Sequence, residues 1–229
     1  MTGTNINTDK GSSMSYIPAL RFNWLTRFYD PLIRATLKED RFRELLLEQA
    51  AVQPTYKVLD VGCGTGTLAL MIKQRVPSAE VFGVDGDPGV LKIAEEKFRV
   101  AGVSVNVYQG RASEAPFQAQ FFDRVVSTLV FHHLSTDEKL KTLQQVKKWL
   151  KPQGELHIAD WGKAQNPLMR AAFLPVQMLD GFKTTSDNVK GKLPELMRAA
   201  GFVEVIETHH EMTVFGTLSL YRGTNAPLS

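Results

Sequence analysis

From residue 57 onward, short apolar runs alternate with longer stretches whose apolar positions recur at helical spacing, which predicts a repeating strand and helix rhythm. Strands are expected near 57–61, 80–84, 104–108, 122–127, 154–160, 202–208 and 212–221, and helices near 67–75, 88–101, 136–150 and 189–200. The run Lys57 to Val61 reads as a buried parallel strand, and the strand–helix rhythm makes the class α/β with a mostly parallel sheet between helix layers. Pro77, Gly102, Pro152, Gly154 and Gly201 supply the helix stops. Only a short turn near His209 to Glu211 separates the last two strands, too short for a crossover, so the final strand runs antiparallel to its neighbour.

Two segments fall outside this rhythm. Residues 16–51 carry Phe22, Trp24, Phe28, Tyr29 and Phe42 among Arg21, Arg27, Arg34, Arg41 and Arg43, and turn strongly helical from Asp40. Residues 161–188 exceed what a plain strand-to-helix loop needs. Ligands of open α/β sheets bind beyond the carboxyl ends of the strands. The first segment therefore reads as an N-terminal helical lid and the second as a cap insertion in one domain spanning 52–229. Packing of the aromatics on the sheet, or contact with a headgroup surface, remain open for 16–51. Residues 1–15 are polar, with no apolar core, and read as a disordered tail and not a signal peptide.

Composition narrows the partners. The net charge of +3 is mild and its lysines and arginines are scattered, which gives no electrostatic case for nucleic acid. The single cysteine excludes an internal disulfide, and no Cys and His spacing suggests zinc. No apolar run is long enough to cross a bilayer, so the expected compartment is the cytoplasm, with peripheral membrane contact and oligomeric state left open.

The chemistry concentrates where the apolar run Lys57 to Val61 meets Gly62-Cys63-Gly64-Thr65-Gly66, followed by Val84-Asp85 at the end of the next strand. Glycines let the backbone turn and approach a ligand, and the following helix presents free N–H groups. A carboxylate at Asp85 can accept both hydroxyls of a ribose. A dinucleotide fingerprint reads G-x-G-x-x-G; here the spacing is Gly62-x-Gly64-x-Gly66, and Asp60 precedes it. That carboxylate would repel a pyrophosphate and attract an ammonium group. S-adenosylmethionine joins a ribose and adenine to a sulfonium and a free amino-acid end, without phosphate. Cys63 reads as a small packing side chain, and Asp87-Pro88 as a helix cap and first-turn proline.

At these residues the chain resembles the class I S-adenosylmethionine-dependent methyltransferases. Their first motif is similar to Val58 to Gly66, their ribose-binding acid matches Asp85, and their late strand signature matches Leu150-Lys151-Pro152-Gln153-Gly154-Glu155-Leu156-His157-Ile158-Ala159-Asp160. The order of motifs is most similar to the group of ubiquinone and menaquinone C-methyltransferases. The resemblance covers roughly Tyr29 to Tyr221 and implies a Rossmann-like seven-stranded sheet with an antiparallel last strand. It implies S-adenosyl-L-methionine as cofactor, held by Tyr29, Asp60, Gly62, Cys63, Gly64, Gly66, Asp85, Gly86, Arg111, Ala112 and Ser127. One departure stands out: Gly110-Arg111-Ala112 replaces the family's Gly-Asp-Ala; an arginine cannot accept the adenine amino group, though it could stack on the ring, and backbone at Ala112 or Glu114 could replace the contact.

The implied activity is methyl transfer to a small-molecule acceptor, at oxygen, nitrogen or carbon, with quinone-like, lipid or secondary-metabolite acceptors open. Alignment supplies much of the rate of such a displacement, and a general base can assist. His132 and His133, in Phe131-His132-His133-Leu134 after the fourth strand, and Asp160 at the end of the fifth are the candidates. No metal is expected, because Leu129 and the histidines stand where a hard cation would want carboxylates. Two rival readings remain: a non-catalytic S-adenosylmethionine-binding sensor or assembly protein, and an NAD-dependent oxidoreductase.

Overall fold

The computed structural model describes residues 39–226; the tail 1–15, Tyr29 and most of the segment 16–51 lie outside them. Helix α1 (Glu39–Ala50) leads into β1 (Lys57–Val61), α2 (Thr67–Arg75), β2 (Glu80–Asp85), α3 (Pro88–Ala101), β3 (Asn106–Gln109) and β4 (Phe122–Thr128). After β4 come α4 (Thr136–Trp149), β5 (Leu150–Trp161), α5 (Pro167–Ala172), α6 (Leu174–Asp180), α7 (Phe182–Val189), α8 (Leu193–Ala199), β6 (Phe202–Thr213) and β7 (Gly216–Asn225). The seven strands lie in the order β3-β2-β1-β4-β5-β7-β6. β1 runs parallel to both β2 and β4, with Leu59 beside Phe82 on one side and Val125 on the other, whereas β7 is antiparallel to both β5 and β6.

Alternation along each strand divides the core into two layers. Val58, Val81, Val126 and Ala159 face α1, α2 and α3 through Phe42, Leu46, Leu68, Ile72 and Phe98. Their neighbours Leu59, Val125, Leu156 and Ile158 face α4 and α8 through Leu143, Val146, Trp149, Leu193 and Met197. The described end of the 16–51 segment, α1, is thus part of the sheet's cover. It is tied there by Arg124 Nε donating to Ala50 O at 2.9 Å and Gln49 Nε2 donating to Tyr221 O at 3.1 Å.

Several boundaries differ from the sequence expectation. The hairpin turn falls at Val214 and Phe215, not near His209 to Glu211: β6 is an edge strand whose polar outer residues imitate a turn. β5 begins at Leu150, pairing with Phe122 beside a register shift, and Pro152 and Gly154 sit within that irregular start. The helix expected over 189–200 is α8, which starts only at Leu193 because the chain turns at Gly191, φ +69°, after α7 ends at Val189. The 161–188 insertion contains α5, α6 and most of α7.

Sheet order reverses between β1 and β4, because β2 leaves β1 on one side and β5 leaves β4 on the other. A crevice opens at such a switch point beyond the carboxyl ends. The loop after β1 and the turn after β4 are its two walls.

Candidate functional site

The glycine turn has three glycines with three different surroundings. A side chain at Gly62 would run into the methyls of Val130, on the segment that leaves β4, and one at Gly66 into the Phe98 ring and Ala94 of α3. Gly64, at φ +51°, meets nothing within 4 Å of where its Cβ would be. Two glycines therefore let neighbouring elements close in, and the middle one leaves backbone open to a ligand. Cys63 fills the space over Gly83, where a Cβ would lie 2.8 Å from its Sγ. Burial, then the charges of Asp60 and Asp85, push its thiol well above the ordinary range, so it is an inert packing group.

Asp60 is 2% exposed, and its Oδ2 has no hydrogen-bond partner among the described groups. Burial raises its pKa to about 7, with Asp85 adding to the rise and Arg43 and the Ala69 amide opposing it. A buried carboxylate oxygen left unmatched is costly, and a hydrogen-bond donor is what that oxygen lacks. Asp85 is differently placed. Its Oδ2 accepts Gly64 N–H at 2.9 Å and its Oδ1 accepts Asp87 N–H at 2.9 Å, leaving a lone pair on each oxygen. Asp87 caps α3 by accepting Gly89 N–H at 2.7 Å, as its Asp-Pro context predicts. This turn fits the adenosine cofactor with an ammonium group and no phosphate that the sequence implies.

Across the crevice, the backbone turns at Leu129 (φ +56°) into a short 3-10 turn, Phe131–His133. Asp160, fully buried at the end of β5, organises it. Its Oδ2 accepts Phe131 N–H at 2.7 Å and its Oδ1 accepts Trp161 N–H at 2.7 Å, and His132 Nδ1 lies 2.7 Å from Oδ1. Burial disfavours the imidazolium, but the charge and hydrogen bond of Asp160, with Asp180, outweigh it and raise the His132 pKa to about 9. Burial, then the neighbouring His132 charge, depress His133 below its ordinary range. The two rings lie against each other, tilted by 41°, with centroids 3.9 Å apart.

The remaining expected contacts are dispersed. Ser127 is buried, donating to Val61 O at 2.8 Å and so fastening β4 to β1. Arg111 pairs with Glu138 of α4 at 3.0 Å, so its guanidinium is turned toward that helix. Gly86 follows Asp85 directly, and Ala112 begins a 3-10 turn next to Arg111. Two contributors escaped the sequence reading because they come from the insertion. Asp180 ends α6 with Oδ2 3.5 Å from His132 Nε2, and Asn188 of α7 donates to Trp161 O at 2.9 Å. The one sequence signal for either was the excess length of 161–188.

Comparison with known proteins places this geometry in context. Residues 58–154 match a family described as a methyltransferase domain. The chain is 29% identical over 201 residues to the demethylmenaquinone methyltransferase of Thermus thermophilus, covering 80% of this chain and 89% of that protein. It is 31% identical over 161 residues to the uncharacterized methyltransferase YodH of Bacillus subtilis, covering 70% and 66% of the two chains. To the ubiquinone/menaquinone biosynthesis C-methyltransferase UbiE of Ralstonia pickettii it is 32% identical over 126 residues, covering 55% of this chain and about half, 51%, of that one. Among solved structures, the apo form of the S-adenosylmethionine-dependent methyltransferase SibL superposes with a TM-score of 0.70 at 21% identity, over 93% of this chain and 60% of that one. Phosphoethanolamine N-methyltransferase 2 of Haemonchus contortus, solved with S-adenosyl-L-methionine, gives a TM-score of 0.68 at 16% identity, over 81% and 52%. Both structural likenesses concern the fold. Among the described residues no helix is long and apolar enough to cross a membrane.

Proposed function

The chain belongs to the class I S-adenosylmethionine-dependent methyltransferases, and we propose that it methylates a small quinol-like acceptor whose ionisable hydroxyl is held by the His132 and His133 turn. The observation that carries this reading is the placement of that turn. It is anchored by Asp160 on the wall facing the glycine loop, with Val130 of the same segment against Gly62. Demethylmenaquinone is the acceptor named for the Thermus relative, and a naphthoquinol ring with an acidic hydroxyl suits the same polar wall.

S-adenosylmethionine supplies the methyl group on a sulfonium, which is already a good leaving group. The chain's residues supply position. Asp60 takes the amino group, Asp85 the ribose hydroxyls, and the open backbone at Gly64 allows the ligand to lie against the turn. Asp160 fixes the His132 ring through Nδ1 and leaves Nε2 toward the insertion. His133, partly exposed beside it, offers a second polar contact. Holding the acceptor's reacting atom in line can contribute about 7–11 kcal/mol in favourable cases.

Two measurements test the assignment. Methyl transfer from labelled cofactor to a panel of naphthoquinols, benzoquinols, phenols and amines should give product with a quinol and little with the amines. No turnover on any acceptor would favour a cofactor-binding sensor. Calorimetric titration should show S-adenosylhomocysteine binding and no NAD binding; the reverse would remove the cofactor assignment.

A further inference from the structure

We infer that His132, His133 and Asp180 form a binding site for a divalent metal of the zinc type, bridging the turn after β4 and the insertion helix α6. One ligand atom from each residue can be chosen so that all lie within 4.8 Å of one another. His132 Nε2 stands 3.5 Å from Asp180 Oδ2, and His133 Nδ1 stands 3.9 Å from Asp180 Oδ1. Charge-assisted hydrogen bonds between such groups are shorter, about 2.7–2.9 Å. Two ligands of one tetrahedral ion, bound at about 2.0–2.2 Å, stand roughly 3.3–3.6 Å apart. The His132–Asp180 spacing is thus that of co-ligands, and the three ligand atoms, spread over up to 4.8 Å, draw together by up to about 1 Å to share one ion.

The supporting shell points the same way. Metal-ligating histidines hold their other ring nitrogen on a carboxylate, which fixes tautomer and ring orientation. Asp160 does this to His132 Nδ1 at 2.7 Å, and is itself locked by the Phe131 and Trp161 amides. Two imidazoles and one carboxylate suit zinc and its transition-metal neighbours over magnesium or calcium, which prefer all-oxygen sets. Three protein ligands leave a fourth position for an exchangeable oxygen, the arrangement of catalytic zinc sites. The expectation of no metal looked for carboxylates beside the histidines; the carboxylate here arrives from the insertion. What the metal would do, polarising an acceptor hydroxyl, rests on the acceptor reading above, whereas its binding does not.

The test is metal binding to the full-length protein after chelator treatment, with zinc(II) followed by calorimetry and cobalt(II) by its visible absorption. One equivalent of zinc should bind, cobalt should give the intense bands of a tetrahedral site, and magnesium should give no heat. Asp180→Asn and His133→Asn should each weaken zinc by tenfold or more, and Asp160→Asn by about 10–100-fold. His210→Asn, on the exposed edge strand, should leave zinc affinity unchanged. S-adenosylhomocysteine titrated into each variant reports whether the cofactor half is intact, so a lost fold is not read as a lost ligand. Absence of saturable zinc binding, or an affinity indifferent to the Asp180 and His133 substitutions, overturns the site while leaving the methyltransferase assignment standing.

Discussion

Asp85 accepts the backbone N–H of Gly64 at 2.9 Å, so the acid proposed to receive a ribose also clamps the glycine turn to the end of β2. Its other oxygen accepts the Asp87 amide at 2.9 Å, just before α3. On that proposal, one side chain serves the shape of the crevice and its ligand together. Asp85→Asn tests both roles, because an amide must present an NH2 group to one of those two backbone N–H donors. The expected results are a tenfold to hundredfold weaker S-adenosylhomocysteine by calorimetry and about 1–3 kcal/mol lower unfolding stability, the cost of an unsatisfied donor. Weakened binding at unchanged stability would mean that the clamp is dispensable.

The proposed pairing of Asp60 with the cofactor's amino group makes binding depend on pH in a predictable direction. Its pKa is raised from 3.8 to about 7 in the folded protein, chiefly by burial. In the free protein the folded state holds this proton more tightly than the unfolded state, so the contribution to stability declines as pH rises from about 4 to about 7 and then levels. Binding an ammonium group requires the ionised form. Cofactor affinity should therefore increase about tenfold per pH unit below 7 and plateau above it, with proton release on binding near pH 6. Asp60→Asn should bind weakly at every pH and remove this slope; a slope that survives in the variant would locate the titration elsewhere.

Gly62 and Val130 hold the two walls of the crevice together. At φ +70° an alanine is strained, and its methyl would meet the Val130 side chain. Gly62→Ala should destabilise by about 2–4 kcal/mol, combining left-handed strain with overpacking. Val130→Ala added to it should recover the steric part alone, leaving about 1–2 kcal/mol of backbone cost. A double-mutant cycle by denaturant unfolding separates the two, and strict additivity would show that the walls do not touch.

The amino-acid pattern reveals the crevice more completely than its far wall. Val58, Leu59, Val61, Phe122, Val125 and Val126 are apolar because helices cover both faces of the sheet, and that pressure leaves a trace in the sequence. The turn motif is equally legible, since only glycine fits beside Val130 and Phe98. Asp180 leaves no such trace: it reaches His132 through the path of α6, which no local spacing encodes. Arg111 misleads for a similar reason, because its partner Glu138 belongs to α4. His209 to Glu211 look like a turn because β6 is an edge strand, where solvent permits polar residues on positions that an inner strand would bury.

The insertion is attached to the body by a buried cation. Lys139 of α4 is 0% exposed, donating to Thr184 O at 2.6 Å and standing 3.4 Å from Asp187 Oδ2, which also accepts Thr136 Oγ1–H at 2.6 Å. Burial pulls the Lys139 pKa down, and the Asp187 and Asp160 charges resist it. Lys139→Met removes the cation and strands a carboxylate, at a cost of about 3–5 kcal/mol, whereas Lys139→Met with Asp187→Leu removes both charges and should fall near neutral. If α7 is held mainly by this pair, the single variant should also show faster amide hydrogen exchange across 174–189 while β1 and β4 stay protected. Exchange that rises equally in the sheet would mean that the pair supports the whole fold and not the insertion alone.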